Sequence, residues 1–386
     1  MKLDTPRIRR IIAEHNLHMC LECGKCSSCC PRFISGKQYS PRMLAQKLIA
    51  AQPEDRAYIE TSVWDCLTCG QCQERCPSGV QFVQMILDMR SELAATQGLM
   101  GYRTHDGALH SWMRIMTSPE IRQNRTQWIG PELKVKRHGP QAFFVGCAPY
   151  FDVFFAGLGV QTLSIAKDGI RLLNRLGIEP VILSEERCCG HDLLWSGDRE
   201  NFETLCRLNY QEFKAAGVEE VIVSCPECYS VLSQYLPRVV EGCDLKVTLL
   251  IDLVNRAAAA GALEFAPRQG VVTYQDPCRL GRQAGCLAPP RELLERIPGL
   301  ELKEMADHGL GALCCGNNAF INCDSYSKRH QVQRLKQAHA TGAGLMVTAC
   351  PKCMIHLTCA MKDPRQEGSL AIEVRDLASL LADHIR

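Results

Sequence analysis

From Gln141 to its C-terminus this 386-residue chain repeats itself, and the repeat is built on cysteine. The first copy runs from Phe143-Phe144-Val145-Gly146-Cys147 through Cys188-Cys189-Gly190 to Cys225-Pro226-Glu227-Cys228. The second runs from Tyr274-Gln275-Asp276-Pro277-Cys278 through Cys314-Cys315-Gly316 to Cys350-Pro351-Lys352-Cys353. Corresponding cysteines are offset by 131, 126 and 125 residues, so the register slips only by loop-sized amounts. In each copy an apolar, β-branched run ends at a Cys. A helical pattern such as Asp168 to Leu176 then leads to a short strand before Cys-Cys-Gly, and a second amphipathic stretch leads to a strand ending at Cys-x2-Cys. This alternation predicts a parallel α/β unit, twice, with the cysteines at the carboxyl ends of strands, where open α/β sheets gather ligands. Two such units about a pseudo-dyad bring two five-cysteine pockets toward a common cleft. The tails after each copy, Val247 to Gly261 and Ile372 to Ile385, also correspond.

The chain holds 24 cysteines, yet it is too long to need covalent stapling. Its start, Met1-Lys2-Leu3-Asp4-Thr5-Pro6, runs into a polar helical pattern without the apolar core of a secretion signal. A cytoplasmic location is therefore expected, and disulfides lose their compartment. The most apolar stretch, Phe143 to Val160, is interrupted by Pro149 and Asp152, so membrane association is expected only through a partner. With 44 Lys+Arg against 42 Asp+Glu there is no basic footprint for nucleic acid. Metal is what remains to hold the thiols.

Residues 1–100 carry Cys20-x2-Cys23-x2-Cys26-x3-Cys30-Pro31 and Cys66-x2-Cys69-x2-Cys72-x3-Cys76-Pro77. This is the run of bacterial ferredoxins, in which the Cys before Pro ligates the other cluster. It implies one [4Fe–4S] cubane on Cys20, Cys23, Cys26 and Cys76 and a second on Cys66, Cys69, Cys72 and Cys30. Zinc also takes Cys-x2-Cys pairs, but the x2-x2-x3-Pro spacing repeated twice is far more specific to iron–sulfur. Between the motifs, Ser40 reads as the N-cap of a helix that begins at Pro41. A small helical domain follows. Residues 101–139 contain no Cys and read as a linker with solvated basic residues.

Five thiolates per repeat are too many for one zinc and one more than a cubane uses. Adjacent thiolates repel unless a metal neutralises both, and Gly190 and Gly316 allow close approach of the backbone to a bulky group. Two further iron–sulfur centres, neither a plain cube, are expected there. Cys29, Cys206, Cys243, Cys286, Cys323 and Cys359 are left over and read as inert thiols, Cys29 being the one whose role could exchange with Cys30.

Twin ferredoxin motifs joined to two complete CCG repeats resemble heterodisulfide reductase, with its ferredoxin-like and CCG-repeat subunits fused. Subunits of glycolate oxidase, anaerobic glycerol-3-phosphate dehydrogenase and the tungsten-containing benzoyl-CoA reductase are similar. The resemblance implies a helical two-cluster domain (1–100), a linker (101–139) and two pseudo-symmetric parallel α/β repeats (140–265 and 266–386). It implies one noncubane [4Fe–4S] cluster on Cys147, Cys188, Cys189, Cys225 and Cys228 and another on Cys278, Cys314, Cys315, Cys350 and Cys353, facing each other where a disulfide is split.

The expected function is an iron–sulfur oxidoreductase subunit of a larger complex that reduces or forms a small-molecule disulfide, with His191 and His356 as candidates for a proton donor. The alternative is an electron relay without a disulfide substrate of its own. A zinc-dependent scaffold is the third reading. No dinucleotide turn is present, since Gly342-x-Gly344 precedes a strand, and Gly309 and Gly311 lead into the CCG loop. No flavin or NAD is expected in this chain, and electrons are expected to pass through a flavoprotein or membrane cytochrome subunit.

Overall fold

Each repeat builds one parallel sheet, and both sheets share a strand order. A computed structural model describes residues 2–98, 103–365 and 370–386. The first sheet is ordered β1 (Gln141–Phe144), β2 (Glu220–Val223), β3 (Lys246–Leu249), in register through Phe143↔Ile222 and Ile222↔Thr248. Val181 forms parallel bridges to Lys136 and Ala142, in the place of the expected strand before Cys188. The second sheet is ordered β5 (Leu300–Leu302), β4 (Gly270–Gln275), β6 (Leu345–Thr348), β7 (Glu373–Asp376). In both copies the strand before Cys-Cys-Gly lies outside the first strand, and the tail adds a fourth strand that periodicity had not separated from the helix after it.

The chain divides into two compact bodies. One comprises Ile115–Gly190, Glu203–Ala312 and Val332–Arg386, and holds both sheets. Within it the helix Thr162–Arg175 of the first copy packs on Leu377–His384 of the second, and Leu250–Ala259 of the first packs on Ala288–Glu295 of the second. Each copy thus presents a helix from between its first two strand positions to the last helix of the other, which is the packing a pseudo-dyad requires. Burial on both faces explains the near-continuous apolar strands, such as Val221, Ile222 and Val223, all fully buried.

The other body comprises Met1–Arg114 with His191–Phe202, which follows the first CCG turn, and Leu313–Gln331, which includes the second. It is helical, with Pro6–Glu14, Pro41–Ala50, Arg56–Asp65 and Phe82–Gln97 as its longer elements. Ser40 caps the second of these as expected: its backbone is extended, its hydroxyl accepts from the Met43 N–H at 3.3 Å, and Pro41 takes the first helical position. Ile8, Ile11, Leu44, Leu48, Ile59, Val63, Met85 and Ile86 form the core, each worth about 1.5–3 kcal/mol on full burial. Arg32 draws the distant segment in, with its guanidinium on Asp324 at 2.8 and 2.5 Å. Asn322 Nδ2 donates to Trp64 O at 2.8 Å.

Candidate functional site

The two ferredoxin-like loops have one backbone conformation. Glu22 and Thr68, each two residues past the first Cys, have φ of 52° and 48°, and Gly24 and Gly70 have φ of 77° and 79°. Glycine is needed at the second position because the chain turns there through the left-handed region into the short helices Lys25–Ser28 and Gln71–Glu74. Such reversals aim successive thiols and N–H groups at one point. The Thr68 N–H donates to Cys66 Sγ at 3.3 Å.

Burial separates the eight cysteines into two sets. Cys30, Cys66, Cys69 and Cys72 are buried, whereas Cys20, Cys26 and Cys76 are half-buried and Cys23 is exposed. Cys30 lies with the second motif: burial pushes its thiol far up, and Cys69 and Cys66 push the same way. Cys72 is raised by burial and then by Cys66, Cys69 and Cys30. Thiols packed this closely are either inert hydrophobes or ligands whose charge a metal offsets. Burial pushes the Cys66 thiol up, against the pull of the fully buried Arg90, which donates to Val63 O at 3.0 Å and Cys66 O at 2.7 Å. Cys29 behaves as a protonated thiol, donating to the carbonyls of Cys26 and Gln71 at 3.5 and 3.6 Å.

The first repeat brings its five cysteines together. Cys147 and Cys188 have their sulfurs 3.3 Å apart. Contacts with Cys189 and Cys225, and then burial, push the Cys228 thiol well up. A Cβ on Gly146 would stand 3.1 Å from Cys228 Sγ, so glycine there leaves room for a sulfur site. The Gly190 N–H donates to Cys188 Sγ at 3.4 Å.

Residues that the sequence did not single out build this cradle. The Glu186 carboxylate accepts the Val145 and Gly146 N–H groups at 3.1 and 2.8 Å and pairs with Arg125 at 3.1 Å. Burial raises its pKa to about 7 against the pull of Arg125 and those two N–H groups. Arg125, expected on a solvated connector, is only 7% exposed and also donates to Glu186 O and Gly146 O. Asn209 fixes the Cys-Cys turn, accepting from Arg187 N at 2.8 Å and donating to Cys188 O at 3.1 Å.

In the second repeat Cys278 follows β4, Cys350 follows β6, and Cys353 opens the next helix, Pro351–Met361, with Cys350 and Cys353 in contact. Cys314 and Cys315 are buried within the helical body, where Gln331 Nε2 donates to Cys315 O at 3.0 Å. Gly316 has φ 84° and a Cβ there would meet Ser327 O at 3.0 Å. His191, in the helical body, is buried with Nδ1 at 2.9 Å from Asp192. His356 is buried in the other body, one helical turn beyond Cys353.

The two Cys-Pro-x-Cys loops approach one another. Cys225 and Glu227 act electrostatically on Cys350. The helix Pro226–Ser230 packs on the π-helical turn Arg279–Gln283 that follows Cys278. Lys352 Nζ lies 2.6 Å from Glu227 Oε2, with the side chains 7% and 10% exposed. These residues hold the same place in the two motifs, so a buried ion pair joins the repeats beside both sets of thiols. The signal was in the sequence: Glu in one Cys-Pro-x-Cys and Lys in the other.

Comparison with known proteins agrees with this organisation. A cysteine-rich domain family, CCG, matches residues 141–233 and 272–358. A 4Fe–4S dicluster domain family matches residues 16–80. The chain is 27% identical to one of the polypeptides of the dihydromethanophenazine:CoB–CoM heterodisulfide reductase of Methanosarcina acetivorans, over 95% of this chain and 93% of that one. It is 25% identical to the EtfAB:quinone oxidoreductase of Syntrophomonas wolfei, over 95% of this chain and 58% of that one. The probable iron–sulfur-binding oxidoreductase FadF of Bacillus subtilis is 25% identical, over 96% of this chain and 60% of that one. A Helicobacter pylori protein of solved structure shares the fold, with a TM-score of 0.57 at 14% identity over 89% of this chain and 67% of that one. No helix among the described residues is long and apolar enough to cross a membrane. Two CCG domains behind one dicluster domain, matched nearly end to end by a heterodisulfide reductase polypeptide of similar length, make this chain an iron–sulfur oxidoreductase-like polypeptide related to heterodisulfide reductase.

Proposed function

We propose that this chain passes single electrons through two cubane [4Fe–4S] clusters to a paired noncubane [4Fe–4S] site where a small-molecule disulfide is reduced or formed. Cys20, Cys23, Cys26 and Cys76 hold the outer cubane, and Cys66, Cys69, Cys72 and Cys30 the inner one. Cys147, Cys188, Cys189, Cys225 and Cys228 hold one noncubane cluster, and Cys278, Cys314, Cys315, Cys350 and Cys353 the other. The observation that carries this reading is the buried 2.6 Å contact of Glu227 with Lys352, which joins the two Cys-Pro-x-Cys loops, with Cys225 acting electrostatically on Cys350. Bound clusters supply one-electron storage and a Lewis-acidic iron for sulfur.

The protein's own residues do the positioning. Glu186, Arg125 and Asn209 hold the Cys147 and Cys188 turns, and the Glu227–Lys352 pair fixes the separation of the Cys-Pro-x-Cys loops. Cleaving a disulfide to two thiols consumes two electrons and two protons; His191 and His356 are the proton donors in this reading. A flavoprotein or membrane cytochrome subunit supplies or receives the electrons.

The test is anaerobic purification with partner subunits, followed by viologen-driven reduction of small-molecule disulfides. Turnover, with EPR of the noncubane centres perturbed by thiol or disulfide, is the expected result. Full iron loading with neither response refutes it. That outcome instead supports a pure relay, the reading favoured by similarity to a protein named EtfAB:quinone oxidoreductase, a name that includes no disulfide.

A further inference from the structure

The Tyr39 side chain is 2% exposed and its buried hydroxyl has no hydrogen-bond partner within the protein. It sits in one buried cluster with Cys30, Cys66 and Cys72, whose thiols act on it electrostatically, Cys66 and Cys30 before Cys72. Phenylalanine would fill the same space without burying an unpaired donor, so the hydroxyl needs an acceptor, and the available acceptors are sulfur. Arg90 also places a buried cation near Cys66 and donates to Cys66 O at 2.7 Å. Cys23, by contrast, is exposed.

We propose that Tyr39 donates a hydrogen bond to a sulfur of the inner cubane and, together with the Arg90 cation, raises its reduction potential so that the exposed cubane can reduce it. This rests on the cluster assignment proposed above. Burial alone opposes reduction, because the reduced cluster carries one more negative charge into a low dielectric. A donor and a cation aimed at the sulfurs favour the more negative state and offset that cost. The step is a single electron transfer: the outer cluster loses one electron, the inner cluster gains it, and Tyr39 keeps its proton. Tyr39 is a tuning residue that breaks no bond.

The experiment is a redox titration, followed by EPR, of the full iron-loaded chain and of Tyr39→Phe. A soluble dysprosium chelate identifies the outer cubane as the signal it broadens, through the exposed Cys23 side. In Tyr39→Phe the inner cubane's reduced-to-oxidised ratio at fixed poise is expected to fall about tenfold, equivalent to about 59 mV for a one-electron couple, with the outer signal unmoved. Pulsed ENDOR of the wild-type protein provides a second measurement that needs no variant: an exchangeable proton strongly coupled to the inner cluster is expected, and its absence overturns the proposal. An inner potential that stays put, or both cubanes shifting together, also overturns it. If the wild-type protein shows a single cubane and too little iron, it is the cluster assignment that fails, and the two failures are distinguishable.

Discussion

The Glu227–Lys352 pair gives the sharpest test of the pseudo-dyad. At 2.6 Å, with both side chains at most one-tenth exposed, neither charge can recover its hydration if the other is removed. Removing one partner of such a pair leaves a buried uncompensated charge and costs about 3–5 kcal/mol. In a body of this size that corresponds to a fall of about 10 °C in the unfolding midpoint. Glu227→Gln and Lys352→Met should each show this loss. Because the two positions are equivalent in the repeats, the exchanged variant Glu227→Lys with Lys352→Glu should recover at least half of it. The assay is anaerobic thermal unfolding of the iron-loaded chain by circular dichroism, with iron content matched. Coupling above about 2 kcal/mol in the double-mutant cycle is the expected outcome. Single variants within about 1 kcal/mol of wild type, or an exchange no better than either single change, would refute a buried bridge between equivalent positions.

Cys30→Ser should abolish the same EPR signal as Cys69→Ser and leave the signal lost in Cys23→Ser intact; loss of the Cys23-linked signal instead would reverse the ligand sets. Asp376, buried at the start of the helix Leu377–His384, has its pKa raised to about 7 by burial and, less, by Asp168, against the pull of the Ala378 N–H. Its folded-state affinity for a proton exceeds that of the unfolded chain, so its ionisation erodes stability as pH rises from about 4 through 7. Asp376→Asn, which keeps the cap, should therefore be more stable than wild type at pH 8 by a few kcal/mol and nearly equal at pH 4, as denaturant midpoints will show; a pH-independent difference would dismiss the effect. Arg32→Met should destabilise the helical body by about 1.5–3 kcal/mol, the charged hydrogen bonds to Asp324 being lost while Lys37 still pairs with it; protease cleavage near Asp324 reads this out, and unchanged resistance counts against it.

Legibility followed sequence separation. Thiol spacings, the Ser40 cap and the duplication are local or periodic, and covalent geometry transmits them to the fold with little help from elsewhere. Arg90, Tyr39 and Arg125 gave no such signal. A lone Arg in a helix or a Tyr before Ser-Pro is ordinary until the chain folds it against sulfur. Arg125 looked like part of a solvated connector because its partners, Glu186 and Gly146, are supplied by chain 61 and 21 residues away. The segments His191–Phe202 and Leu313–Gln331 read as parts of the α/β repeats. They join the helical body because Arg32 and Arg90 supply cations that meet Asp324 and the Trp195 carbonyl.

By itself the sequence determined that the second half would be two parallel sheets and that cysteines would stand in two dicluster loops ahead of two CCG repeats, because loop spacings and strand periodicity are written over a few consecutive residues. Only the tertiary structure decided which ferredoxin-like thiols are buried and which face solvent, and that Glu227 meets Lys352. Those outcomes depend on desolvation and on which distant charges finally share a dry neighbourhood, and no stretch of chain carries that information alone.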